Sequence, residues 1–461
     1  MWLFTPTTPQ QEDTFQVQSS HTLDRLDINF DAKGLVANAG LALPFTLAEH
    51  LGLGTLLRQH VRLGQVKNSA GANPQIKAMT VIAAVLAGGE YIDDVKALKA
   101  GGGASVLGFA PAAASTTGSF LRAFTAGHAR QLDAVAEDLV QRAWDVGAGP
   151  KEPEVKLDLD STVIETYGLQ KQGAKDFTYK KGKRGYHPLL AVLAESGEVL
   201  HWRLREGKAN AGRGAGSFAR QALARLERAG GVCGLGQIVV RTDSGFYAEK
   251  VVDACAAHGA RFSISMRLQT SHHDLIASIP ESDWQPIPYW KEGAASVAEI
   301  PYAPFGKKKT YRMIVRRVEM IQGGQMVLPG THLHLALLTD REGDRLELEA
   351  DHRQHAVVED AIKELKYGVA LNHLPSGKFG ANAAWLALNI IAYNLCRWLP
   401  RLAGWMALCV KTLRQRFLCV PGRLASSGRR LQLHLPINWP WEQQFQAALA
   451  RLRAISLPAV T

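Results

Sequence analysis

The sequence predicts a mixed α/β protein in which a helical N-terminal region precedes a sheet core. Three patterns support this prediction. Apolar residues recur at helical spacing from residue 43 to residue 144. The period then changes to two at Val155, Leu157 and Leu159, which alternate with charged residues as in a strand. A second alternating segment follows at 311–337, so we expect the sheet core to be interrupted by β-rich sequence.

Residues 1–150 are predicted to form a mostly helical domain. The first 40 or so are polar and irregular, with room for one strand. An apolar helix is predicted at 76–86, ended by a pair of glycines. The Ser115–Thr116 pair is predicted to cap the next helix. A Gly- and Pro-containing segment at 147–153 predicts a domain boundary.

Residues 151–269 are predicted to form the first part of the sheet core. Strands are predicted at 155–159, 189–193, 199–204, 238–240 and 262–266, and helices at 217–228 and 248–258. This order of three strands, helix, strand, helix and strand suits a ribonuclease-H-like mixed sheet.

The remainder is predicted in three parts. Residues 270–345 form a β-rich insertion that carries a basic run, Lys307, Lys308 and Lys309. Residues 346–400 return to helical spacing and complete the core. Residues 401–461 are predicted as a helical, basic tail.

The charge balance favours a polyanionic partner. The chain has 53 Lys and Arg against 42 Asp and Glu, a net charge of +11. Its five cysteines are odd in number and form no CxxC pair, so we expect a reducing cytoplasm rather than a disulfide framework. The N-terminus lacks the pattern of a signal peptide, and the apolar stretch at 383–396 is too short to span a bilayer.

Two predicted strands end in aspartate. Asp160 shares a strand face with Asp158, and a cation would relieve the repulsion between the two carboxylates. Asp243 follows a short apolar strand, at the sheet edge where α/β sites form. A turn or a cap would explain these residues equally well, so the residues alone leave both interpretations open.

A third group of polar residues follows helical spacing. His352, His355, Glu359, Lys363 and Lys366 step by 3, 4, 4 and 3 residues, which places them on one predicted helix face. The face could be solvated, with a Glu359–Lys363 pair. It could also hold zinc through the two histidines and Glu359, although no Cys or third His is spaced to complete such a site.

Six short motifs, taken in order, resemble one family. They are LDLDST at 157–162, GYHPL at 185–189, REGKA at 205–209, RTDSGFY at 241–247, EDAIKELK at 359–366 and NAAWL at 382–386. Together they resemble the insertion-sequence transposases of the DDE class, specifically the IS-thirteen-eighty group. The resemblance implies a ribonuclease-H-like catalytic core with a β-rich insertion between the second Asp and the Glu.

The resemblance also implies the catalytic residues. Asp160, Asp243 and Glu359 match the three carboxylates, at separations of 83 residues (160 to 243) and 116 residues (243 to 359). They are therefore predicted to bind Mg²⁺ or Mn²⁺, with two ions in each active site. Two such ions can activate the attacking oxygen and stabilise the leaving oxygen of a phosphodiester.

A wider helix signature of this superfamily implies contacts with DNA phosphate. Glu359 and Lys366 match it, whereas His352 and His355 stand where the family has Tyr and Arg. Histidine can donate to phosphate but lacks the bidentate, permanent charge of arginine. Lys366, Lys363, His355 and His352 are all predicted to contact phosphates.

The implied partners are double-stranded terminal inverted repeats and target DNA, bound by a homodimer in the bacterial cytoplasm, at the nucleoid. Residues 1–150 would supply DNA binding. Two alternatives remain open at this point. The chain could be a regulator derived from a transposase that binds DNA without cutting it. It could also be a metal-independent hydrolase, for example of glycans, with Asp160 and Asp243 as acid and base.

Overall fold

The computed structural model of the chain describes residues 26–64, 69–168, 170–177, 182–210, 212–230, 235–288, 290–291, 293–306, 309–319, 321–322, 325–326, 332–428 and 430–457. Most of the predicted N-terminal arm and two lysines of the predicted basic run, Lys307 and Lys308, lie outside these ranges.

The strands of the described residues are numbered in chain order. They are β1 (Leu35–Val36), β2 (Glu154–Ser161), β3 (Ile164–Glu165), β4 (Lys175–Asp176), β5 (Arg184–Tyr186), β6 (Leu189–Leu193), β7 (Val199–Arg203), β8 (Gln237–Thr242), β9 (Arg261–Ser265), β10 (Gln285–Pro286), β11 (Ala295–Tyr302), β12 (Tyr311–Glu319), β13 (Ile321–Gln322), β14 (Gln325–Met326), β15 (His332–Thr339), β16 (Gly422–Ser427) and β17 (Arg430–His434).

The α-helices are numbered in the same way. They are α1 (Ala42–His50), α2 (Leu53–His60), α3 (Pro74–Leu86), α4 (Gly103–Leu107), α5 (Ala114–Arg122), α6 (Ala126–Ala143), α7 (Ala215–Gly230), α8 (Glu249–Ala257), α9 (Thr270–Ala277), α10 (Arg345–Arg353), α11 (Val357–Gly368), α12 (Phe379–Ala403), α13 (Val410–Leu413) and α14 (Glu442–Arg453).

One nine-stranded mixed sheet organises the chain. Its strand order is β10-β11-β12-β15-β9-β8-β2-β6-β7. The central strands β9, β8 and β2 run parallel, and the other neighbouring pairs are antiparallel. Strands of the predicted insertion continue this sheet, because β15 pairs with β9.

The alternation predicted for β2 is confirmed and determines what each sheet face carries. Val155, Leu157 and Leu159 are buried in the main apolar core. Asp158 and Asp160 point to the opposite face, since strand residues alternate. The apolar face thus fixes the register of β2 and thereby the position of the acidic residues.

Helix α12 joins the helical N-terminal region to the sheet. It packs against α1, α3, α5, α6 and β7. The amide of Asn394 accepts from the Val199 N–H at 2.9 Å and donates to the Val199 carbonyl at 2.8 Å, which satisfies the end of β7. By length and composition α12 could cross a membrane, but 89% of its apolar window is buried inside the protein. We therefore interpret α12 as a buried core helix.

Two predicted features differ in the structure. Helix α5 begins at Ala114 with Ala113 at its N-cap, so Ser115 and Thr116 lie inside the helix and do not cap it. The tail at 401–461 is not wholly helical, because β16 and β17 form a hairpin. β16 of that hairpin also pairs with β1, so the three strands form a small antiparallel sheet.

Candidate active site

Asp160 and Asp243 end two neighbouring parallel strands and so lie at the same edge of the sheet. In the register of β2 and β8, Leu159 is opposite Thr242. Asp160 is the next residue along β2, and Asp243 directly follows β8. The carboxyl ends of parallel strands are where α/β proteins build their sites.

Glu359 reaches this edge from the first turn of α11. Burial, the Asp243 carboxylate and, more weakly, Glu359 raise the pKa of the Asp160 carboxyl to about 7. A like-charge effect of this kind requires the carboxylates to lie near one another. The structure therefore places Asp160 and Asp243 at one sheet edge, and Glu359 is close enough to have a weaker effect on the pKa of Asp160.

The backbone holds one oxygen of each aspartate. The Ser161 N–H donates to Oδ1 of Asp160 at 2.6 Å, and the Gly245 N–H donates to Oδ1 of Asp243 at 3.0 Å. Asp243 thereby caps the short helical turn at 244–246, so the turn predicted as an alternative also forms. Both carboxylates are oriented by these bonds.

A buried ion pair stands next to Asp160 on the same face of β2. The Arg241 guanidinium donates to both carboxylate oxygens of Asp158, at 2.8 and 2.9 Å, and the two side chains are 1% and 0% exposed. Burial raises the pKa of Asp158 to about 6, and Arg241 opposes that rise. The carboxyl is thus ionised at neutral pH.

Arg241 also connects the sheet to α10, the helix that precedes the one carrying Glu359. A third nitrogen of Arg241 donates to the carbonyl of Asp351 at 2.8 Å. The Asp351 carboxylate is bound by Lys156 and by Arg341, each at 2.5 Å. Because Asp351 is near the end of α10, these bonds anchor the junction with α11 and so fix where Glu359 stands.

The single helix predicted through the two histidines is interrupted. Helix α10 ends at Arg353, a 3-10 turn follows at Gln354–Ala356, and α11 begins at Val357. His352 and His355 therefore precede α11, with nearly parallel rings 6.3 Å apart. No Gly or Pro marks the break, so residue spacing alone could not reveal it.

Both histidines are neutral. The ring of His352 is bound by Ser263 Oγ at Nδ1 (2.9 Å) and by Ser265 Oγ at Nε2 (2.8 Å). Burial lowers the pKa of His352 to about 3 and that of His355 to about 4. The predicted phosphate contact of His352 would require one of its serine bonds to break.

The two predicted lysines lie along α11 beyond Glu359. Lys363 is exposed, and Lys366 is half-buried beside the exposed Tyr367. Lys366 and Tyr367 line a groove at the C-terminal end of α11. Both lysines follow Glu359 along α11 and therefore lie nearer to the C-terminal end of the helix.

Three of the matching motifs meet at the flank of the site. The Tyr186 hydroxyl donates to the Gln172 carbonyl at 2.7 Å and accepts from the Asn382 amide at 3.1 Å, which joins GYHPL to NAAWL. Arg205 of REGKA donates to the His187 carbonyl at 3.0 Å. These contacts attach the small β3-β5-β4 sheet to α12, so the motifs around the carboxylates serve as scaffold.

A family comparison decides the class of protein. A sequence profile described as transposase DDE domain, group 1, matches residues 18–457 of the chain. The chain belongs to this family of DDE transposases. No curated protein matches its sequence. Among solved structures, it is similar to a cryo-EM structure of the piggyBac transposase synaptic complex with hairpin DNA. That similarity has 9% identity and a TM-score of 0.46 over 83% of this chain and 79% of the other.

DDE transposases use divalent metal ions. Within the described ranges, no three His, Cys, Asp or Glu side chains converge closely enough to hold one ion in common. The donor chemistry nevertheless fits a hard cation, because Asp160, Asp243 and Glu359 all offer carboxylate oxygens. Their mutual repulsion, visible in the raised pKa of Asp160, is what a cation would neutralise.

Sequence reasoning missed the support of the transposase site. Arg241 lies in the RTDSGFY motif, two residues before Asp243, yet its partners are 83 and 110 residues away. The signal available was a charged residue inside an apolar strand, where a partner is required. Asp351 carried no comparable signal.

Proposed function

We propose that this transposase is a cut-and-paste enzyme of the IS-thirteen-eighty group, with Asp160, Asp243 and Glu359 as its catalytic carboxylates. The observation that carries the proposal is that Asp160 and Asp243 lie at the carboxyl ends of the neighbouring parallel strands β2 and β8, with Glu359 in the first turn of α11. Family membership makes DNA phosphodiesters the substrate to expect.

The three carboxylates would hold two divalent ions, Mg²⁺ or Mn²⁺. Bound ions of this kind neutralise phosphate charge and activate an attacking oxygen. The chain's own contribution is positioning. The N–H groups of Ser161 and Gly245 orient the two aspartates, and Arg241 holds the junction that precedes Glu359. A cut at the element end would free a 3′-hydroxyl, which the same site would then join to another strand.

DNA would approach along α11. Lys363 and Lys366 would bind phosphates, and His355 would lie between them and the sheet, with His352 packed behind it. The net charge of +11 favours such an approach. We further propose that the partners are terminal inverted repeats and target DNA, bound by a homodimer in the bacterial cytoplasm, with residues 1–150 adding DNA contacts.

The test separates cutting from binding. The substrate is a duplex spanning the junction of the element end with its flanking DNA, and the variants are Asp160→Asn, Asp243→Asn and Glu359→Gln. Each should lower cleavage by about 10³-fold, since metal ions supply several kcal/mol to such reactions. End binding should persist, because phosphate contacts come from other residues.

Asp360→Asn is the matched control, because Asp360 is exposed and adjacent to Glu359 on α11. It should cut like the wild type. Normal cleavage by Asp243→Asn, or an essential Asp360 beside a dispensable Glu359, would contradict the assignment.

A second candidate is a DNA-binding regulator that has lost catalysis. The observation favouring it is that no three ligands converge on one ion position within the described residues. Wild-type protein that binds the junction duplex but leaves it uncut in both Mg²⁺ and Mn²⁺ would establish this alternative.

A further inference from the structure

A groove of about 820 Å³ is lined by aromatic rings and by the C-terminal end of α11, the helix that carries Glu359. Its walls come from three separate parts of the chain. Tyr91 precedes the short helical segment at Ile92–Lys99, Tyr167 follows β3, and Tyr367 lies in the last turn of α11. The tyrosines are far apart in sequence, and the fold brings them to one surface.

These tyrosines are unusually exposed. Tyr91, Tyr167 and Tyr367 are 56%, 86% and 72% accessible. Within the described part of the chain, Tyr167 and Tyr367 have no ring contact, while Tyr91 packs on His373 with 4.9 Å between the ring centroids. Exposed large aromatic groups gathered in one depression mark a binding surface.

The acidic and basic side chains that line the groove balance, with Asp93 and Glu165 against Lys171 and Lys366, so its exposed rings determine what it can bind. The acidic groups of its walls already have cationic partners: Asp93 binds Lys96 at 2.7 Å, and Glu165 binds Lys183 at 3.1 Å. Lys171 lines the groove as well, and burial lowers the pKa of its ammonium.

The distance along α11 from Glu359 to the groove corresponds to a few nucleotides of a DNA strand. Glu359 stands in the first turn of α11 and Lys366 in its last turn. Seven residues at 1.5 Å each separate them by about 10 Å along the helix axis. A DNA strand rises 3.4 Å per nucleotide, so about three nucleotides would span that distance.

We propose that this groove binds unpaired nucleotides of the DNA strand next to the cleavage point, with bases stacked on Tyr167 and Tyr367. This rests on the proposed DNA-cleaving function. Duplex backbone alone would be met by Lys and Arg side chains, whereas exposed tyrosine rings offer faces to unstacked bases of any sequence. The Tyr91–His373 pair forms the opposite wall.

The experiment measures binding without chemistry, in excess chelator. Two junction duplexes are compared, one fully paired and one with three unpaired nucleotides at the cleavage point, the middle one being 2-aminopurine. The wild type should prefer the unpaired DNA and quench the 2-aminopurine fluorescence by stacking. Tyr167→Ala and Tyr367→Ala should each weaken binding of the unpaired DNA about tenfold, and leave the paired duplex unaffected.

Conservative and control variants make the result specific. Tyr167→Phe and Tyr367→Phe should retain quenching, because the ring is kept. Phe30→Ala removes a fully exposed aromatic residue that does not line the groove, and should behave as wild type. Both tyrosines are so exposed that their replacement should leave folding intact.

The outcomes are distinguishable. Alanine variants that bind and quench like the wild type would overturn the groove proposal, even if all of these proteins cut DNA in Mg²⁺. Quenching lost in the alanine variants supports it. Quenching by a wild-type protein that never cuts would overturn the proposed catalysis and leave the groove as a binding site for unpaired DNA.

Discussion

Replacing Asp160 by Asn is expected to stabilise the metal-free protein at neutral and alkaline pH while it removes cleavage. The carboxyl is costly to ionise because burial, Asp243 and Glu359 raise its pKa from 3.8 to about 7. Such a difference corresponds to about 4 kcal/mol of stability. The side chain is partly exposed, so solvent screening reduces the expected gain to about 1–3 kcal/mol.

The direction of the stability difference between Asp160→Asn and the wild type follows from its pH dependence. For a carboxyl whose pKa is raised in the folded state, the stabilising contribution is complete below pH 3.8 and is lost as the pH rises through about 7. An Asn side chain is uncharged at every pH in this range, so its contribution to stability does not change with pH. The free energy of unfolding of Asp160→Asn should thus equal that of the wild type near pH 4 and exceed it at pH 8.

Urea unfolding in chelator, followed by tryptophan fluorescence at both pH values, measures this difference. Asp360→Asn is again the control, since Asp360 is exposed and its replacement removes the same charge outside the buried edge of the sheet. The reasoning is refuted if Asp160→Asn is no more stable than the wild type at pH 8, or if its advantage is the same at pH 4.

Three other predictions concern the support of the site, the metal and the basic run. Arg241→Met should lower the free energy of unfolding by about 3–5 kcal/mol, because it leaves Asp158 charged and buried. The double variant with Asp158→Leu should lose less, and a single-variant loss under 1 kcal/mol would contradict the ion pair. Mg²⁺ or Mn²⁺ should support end cleavage and Ca²⁺ only binding, as gel assays would show; full cleavage in chelator would refute metal dependence. Replacing Lys307, Lys308 and Lys309 by Ala should weaken binding to all DNA alike and flatten its salt dependence, whereas a loss confined to the element end would exclude a phosphate-binding role.

The sequence predicted the central strands well because their apolar residues are buried, in alternation in β2 and continuously in β6 and β8. The two-residue period of β2 is imposed by Val155, Leu157 and Leu159, which must all face the core. The C-terminal hairpin was missed although Leu431 and Leu433 alternate, because its two strands are mostly exposed and give no buried apolar pattern. Its pairing with the two-residue β1 joins opposite ends of the chain. Partners so distant leave no local signal.

The sequence likewise predicted some features of the site and not others. Spacing and family resemblance singled out the three carboxylates, and the fold places them at one sheet edge. The break between α10 and α11 was not predictable, since no Gly or Pro marks it and the residues beside it, Asp351 and His352, contact partners in distant strands of the sheet. The tyrosine groove depends on three segments that only tertiary structure brings together.

The pairing of β1 with β16 bears on how the protein is made in the cell. Leu35 is opposite Arg423, a separation of 388 residues along the chain (35 to 423). At about 5–20 residues per second, a ribosome needs roughly 20 to 80 s to produce the second strand after the first. Helix α12, which covers α3 and α6, also emerges late. The sides of the early helices that α12 covers are therefore exposed until it is made, so the N-terminal region can complete its packing only near the end of synthesis.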